Sequence, residues 1–189
     1  MGRYDYATGD IPCYSQLAFT GDLANAVGTN GSGLLLLLGY QDYLLARPPS
    51  TAVSTLANRL FAVRGRNAAL TVTSEDLSRD AATLELRALA LAPERVVDGG
   101  PSMVLVAEWP TLVPIGPPDH WIVIRRIDGT HAEIGDPCWN GLGADWAARR
   151  WTPKLPPKDV SLYGATRRIP LARLAPLLRP GAVFRLAPA

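Results

Sequence analysis

The chain has 189 residues, 48% of them hydrophobic and 19% charged, with a net charge of +2. This length and composition fit one globular domain spanning 1–189 and exclude a disordered chain. The charge is too small to argue for nucleic acid, and the arginine pairs at 125–126, 149–150 and 167–168 are expected on solvated faces.

Lysine occurs only at 154 and 158, and alanine, leucine and proline are abundant, which points to a GC-rich source. Arginine enrichment also hints at a thermophile, on weak grounds. The opening "MGRYDYATGDIPCYSQ" has no apolar signal core, so no secretion is expected. The run Leu34–Leu38 is too short to span a bilayer, so no membrane insertion is expected either. Two cysteines, Cys13 and Cys138, make no disulfide framework. In a reducing compartment they read as two small buried hydrophobes.

In chain order, "DIPCYSQ" reads as a short extended segment, because Pro12 disfavours a helix. "LAFTGDLANAVGTNGSG" is rich in Gly, Asn and Thr and reads as loop. "LLLLLGYQDYLLA" is apolar nearly all round, the mark of a central buried helix that "RPPS" ends. "STAVSTLANRLFAVRG" is expected as a second helix capped by Ser50 or Thr51. "SEDLSRDAATLEL" is expected as a third, with Ser74 before two acids that favour a helix N-terminus. The texture then changes to short β-branched or alternating runs: "LRALAL", "SMVLVAEW", "HWIVIRRID" and "HAEIGD". Asp128-Gly129 joins the last two as a tight hairpin. A long surface loop over 140–160, a short helix in "IPLARLAPLL" and a final strand "GAVFRLAP" complete the pattern. Helices first and an antiparallel sheet after define an α+β chain, with no internal repeat and no inter-domain linker.

The hairpin carries the candidate chemistry. His120 opens one arm and Asp136 closes the other, each eight residues from Asp128, so both lie at the open end. An imidazole oriented by a carboxylate is the base-and-orienter pair of triad logic. The plainer alternative is a strand-edge histidine and a turn aspartate. His131, near the turn, reads as a surface residue. "GTNGSG" lacks the Lys-Ser/Thr of a phosphate loop, and no His/Cys cluster has zinc spacing, so no cofactor and no metal are expected. Trp121, Trp139, Trp146 and Trp151 fall near the presumed cleft, where core and lid packing outweighs ligand binding.

The order "IPCYSQ", "NAVG" opening an apolar helix, "DHWIVIRRIDG" and "EIGDP" resembles the papain-like cysteine peptidases, in particular the bacteriocin-processing (double-glycine leader) branch. The resemblance implies a papain-like fold, with N-terminal helices packed on an antiparallel sheet. It implies that Gln16 is the oxyanion-hole glutamine, His120 the general base and Asp136 its orienter. Val27, before Gly28, falls on the position of the nucleophilic cysteine. Valine has no lone pair, and loss of a triad nucleophile costs on the order of a million-fold in turnover. Val27 is expected to pack against His120 and leave a drier cleft.

The resemblance therefore implies an inactive peptidase homologue that binds a protein or peptide partner or builds a larger assembly. A cytoplasmic or virion-associated place, such as a phage tail component, fits by analogy of fold use. The alternative is an active thiol peptidase or amidase with a displaced nucleophile, Cys13 or Cys138. Thr29 and Ser32 are expected as helix caps, the commoner role for hydroxyls there.

Overall fold

The structure is a computed structural model that describes residues 11–19, 23, 27, 30–66, 68–97, 100–108, 119–138 and 165–189. The expected 140–160 loop, Thr29, Trp139, Trp146, Trp151 and the arginine pair at 149–150 lie outside the described residues.

Helix α1 spans Ser32–Leu44, and every residue from Ser32 to Asp42 is buried, as its unbroken apolar block requires. Gly39 is where the extended segment crosses it. A Cβ there would lie 1.8 Å from the Pro12 carbonyl oxygen, so only glycine permits the approach. Helix α2 spans Val53–Arg64 and α3 spans Leu77–Thr83.

The cap of α2 differs from expectation. Its N-cap is Ala52, without a side-chain cap bond. Ser50 instead donates its backbone N–H to the Tyr14 hydroxyl at 2.7 Å and accepts from Arg59 at 2.8 Å, bonds that draw it into the core. Helix α3 also starts later than "SEDL" implied: Thr73 accepts the Asp76 N–H through its hydroxyl at 3.1 Å, and the helix follows.

Six strands form one sheet: β1 Leu86–Ala90, β2 Ser102–Ala107, β3 Asp119–Asp128, β4 His131–Asp136, β5 Ala165–Pro170 and β6 Leu178–Pro188. Their order is β1-β6-β2-β3-β4-β5, antiparallel at every pairing. Helices followed by an antiparallel sheet make the chain α+β, as its texture predicts.

Alternation along the strands divides the apolar residues between two cores. Met103, Trp121, Val123 and Phe184 pack with the helices in one. Val104, Val106, Ile122, Ile124, Ala132 and Ile134 fill the other, beneath Leu174 and Leu178. "IPLARLAPLL" is divided: its start closes β5, one helical turn spans Leu171–Leu174, a 3-10 turn follows, and Leu178 already opens β6. Among the described residues no helix is long and apolar enough to cross a membrane.

Candidate functional site

The β3–β4 hairpin turns through Gly129 and Thr130, with Asp128 paired to His131. Gly129 has φ +61°. A glycine at positive φ in the first loop position suits the right-handed twist of the strands. Ion pairs brace this end: Arg126 holds Glu133 at 2.6 Å, and Arg168 of β5 holds Asp128. His131 is partly exposed, its Nδ1 2.9 Å from the Thr130 hydroxyl.

The hairpin is not regular. Asp128 faces His131, Ile127 faces Ala132 and Arg126 faces Glu133, but Ile124 faces Ile134. Arg125 is thus an extra residue on β3, a β-bulge. Without it Asp136 would pair with Val123 and share the helix-facing side. With it Val123 pairs with Gly135, and Asp136 falls opposite Ile122, on the face that His120 occupies. On β2, Val106 pairs with His120 and belongs to the second core, which fixes that face independently.

The result is a buried contact. His120 Nε2 lies 2.8 Å from Asp136 Oδ1, with both residues at most 1% exposed. The same carboxylate oxygen accepts the Cys138 N–H at 2.8 Å.

Arg125 corrects a second expectation. It is buried, not solvated, and donates to the Ile11 carbonyl at 3.0 Å. Burial pushes its guanidinium down to about 10. Its neighbour Arg126 is exposed, as is Arg168.

The extended segment brings the third residue. Gln16 is fully buried, and its backbone N–H donates to the Pro137 carbonyl at 2.8 Å, one residue past Asp136. Its side-chain amide donates to the Val27 carbonyl at 2.9 Å. Gln16 therefore links the strand end bearing Asp136 to the residue matched to the nucleophile.

Val27 is itself fully buried, in the helix-facing core with Trp121 and Val123. His120 takes the opposite face of the sheet, so the expected packing of Val27 on His120 is not what the register gives. The segment expected as loop has helical backbone at Leu23, Val27 and Asn30, and Gly31 donates to the Val27 carbonyl at 2.8 Å. Val27 thus occupies helical backbone one turn before α1, because the Gly31 bond already has helical spacing. The cap of α1 is Gly31, which has no side chain to cap with; Ser32 is its first residue and lines a surface cavity.

Cys13 packs against the same strand end: a Cβ on Gly135 would lie 3.1 Å from its Cβ. Burial, then the Asp136 carboxylate, then Cys138, push its thiol well above the ordinary range. Cys13 is fully buried, Cys138 is partly exposed, and the two are not joined in a disulfide.

Tyr14, between Cys13 and Gln16, anchors this segment to the helices. Its hydroxyl donates to Asp42, which Arg59 holds at 2.7 Å. Trp121 is a packing residue: its indole N–H donates to the Val72 carbonyl at 2.7 Å, and its ring centre lies 6.1 Å from that of Phe184.

On the helix-facing side of the sheet, the face opposite the His120 and Asp136 side chains, lies a cavity of about 440 Å³. Asp119 and Trp121, which flank His120, form one wall, and Asn30 and Ser32 form another. Sequence reading missed both this cavity and the bulge. The only available signal for the bulge was the isoleucine pattern, with Ile122, Ile124 and Ile127 out of step. Among the described residues no group of three or more His, Cys, Asp or Glu is placed to hold a metal. The sequence matches no known protein-family model and no curated protein.

Proposed function

We propose that this chain is a catalytically silent papain-like module that binds a peptide or builds an assembly. The observation that carries the reading is the arrangement around Gln16. Its amide meets the carbonyl of Val27, its backbone meets Pro137, and the adjacent Asp136 orients His120. Three of four positions matched to the peptidase frame thus keep chemically suitable side chains, and the fourth is inert. An imidazole beside a carboxylate activates a hydroxyl or thiol only if one is present to lose a proton. Valine supplies none. A virion or tail component remains the kind of assembly that fits this reading, by analogy of fold use.

The alternative, an active hydrolase with a displaced thiol, meets a physical obstacle at Cys13. Nucleophilic cysteines have lowered pKa values and some exposure; Cys13 has the reverse of both. Cys138 is the more accessible thiol, but it follows Asp136 by two residues and spends its N–H on that carboxylate.

Titration of the native protein with iodoacetamide at neutral pH tests the reading. The proposal expects slow labelling of Cys138 at an ordinary thiol rate and protection of Cys13. Rapid labelling at one site that abolishes a peptidase or amidase activity overturns it.

A further inference from the structure

We propose that the cavity walled by Asp119, Trp121 and Ser32 binds the cationic side chain of a peptide, an arginine or a lysine, between Asp119 and Glu75. This deepens the binding-module reading and rests on it.

Among the described residues the walls carry two carboxylates, Asp119 and Glu75, and no basic residue. Both are exposed, and among the described residues neither forms an ion pair. Elsewhere among these residues the aspartates at 42, 76, 80 and 128 and the glutamates at 85 and 133 each hold an arginine; the exposed Glu94 and Glu108 hold none, but neither lines this cavity. Two uncompensated carboxylates at one concavity attract a cation more than separate surface charges do.

The hydroxyls of Ser32, Thr71, Thr73 and Ser74 supply acceptors for the remaining N–H groups of a guanidinium or ammonium. Trp121 and Leu105 give an apolar floor for an aliphatic stem. About 440 Å³ is room for a side chain and its flanking backbone, at the small end of ligand sites.

An anion would be the rival occupant if α1 began at this cavity with unsatisfied N–H groups. Ser32, the first residue of α1, does line it, but the Gly31 N–H is taken by the Val27 carbonyl and the two wall carboxylates disfavour a further negative charge. Residues 71–73 lie outside any helix or strand, and Thr71 and Thr73 are exposed.

The test is NMR titration of the full chain with three blocked tripeptides, acetyl-Gly-Arg-Gly-amide, acetyl-Gly-Leu-Gly-amide and acetyl-Gly-Glu-Gly-amide. The arginine peptide should shift the Trp121 indole N–H and the amides of Thr71–Glu75, and its affinity should fall with added salt. Asp119→Asn and Glu75→Gln should each weaken binding by up to about fivefold, the scale of exposed ion pairs. Equal binding of the arginine and glutamate peptides overturns the proposal. So does absence of shifts at Trp121, or indifference of a folded double variant. Failure here leaves thiol chemistry at position 27 untouched, so the two readings fall separately: a reactive Val27→Cys protein that ignores the arginine peptide loses only this site.

Discussion

His120 and Asp136 face each other across 2.8 Å because β3 carries one more residue than β4, at Arg125. The bulge sets the face, and burial then makes the contact costly to break. Asp136→Ala would strip an acceptor from both His120 Nε2 and the Cys138 N–H. At ~1–3 kcal/mol for each buried group left unsatisfied, the expected loss is about 2–6 kcal/mol of unfolding free energy. Urea denaturation measures it, and a loss below ~0.5 kcal/mol would mean that the pair contributes nothing to the fold.

Gly39→Ala should destabilise the protein although alanine is the better helix former by ~1 kcal/mol. The new methyl would meet the Pro12 carbonyl, which must retreat and carry Cys13 with it. Overpacking of this kind costs ~1–3 kcal/mol. A variant as stable as the parent would show that the segment yields freely.

Tyr14→Phe removes a hydroxyl that bonds the Asp42 carboxylate and accepts the Ser50 N–H. A loss of ~1–3 kcal/mol is expected. Arg59 still pairs with Asp42 in this variant, so the protein should remain folded. Denaturation midpoints and the far-ultraviolet spectrum together check both statements.

Alkaline pH should weaken the fold in two stages. Burial, Asp136 and Cys138 raise the Cys13 thiol in the folded state. Above about pH 8.5 the unfolded chain releases that proton while the folded chain retains it, so stability falls as pH rises. Tyr14 and Tyr40, both raised chiefly by burial, add a second decline from about pH 10. Cys13→Ala should flatten the first stage and spare the second. Identical pH slopes for variant and parent between pH 7.5 and 9.5 would exclude this assignment.

The element types were legible where local pattern and burial agree. The apolar block of α1 announces a helix buried on all sides, and the alternation of β3 announces a strand. β5 was not legible, because "ATRRIP" is a polar edge strand whose pairing to β4 supplies its order. The helical backbone at Val27 was also hidden, since glycine and asparagine argue for a loop while Gly31 closes a helical bond on it.

For the site, equal spacing from Asp128 brought His120 and Asp136 to one end of the hairpin. It could not give their common face. A regular hairpin with the same spacing separates them, and the Arg125 bulge is decided by burial against Ile11. Gln16 was located by resemblance alone, and its bond to Val27 depends on tertiary packing.

The central claim is that position 27 is the seat of a missing nucleophile, and Val27→Cys tests it most directly. Because the site is buried, thiolate absorbance near 240 nm is followed against pH, which needs no reagent access. The account predicts a new thiolate in the folded variant that titrates below the ordinary cysteine range of about 8.5 and returns to or above it when His120→Ala is added. A folded variant whose new thiol titrates at or above that range, with or without the imidazole, would contradict it.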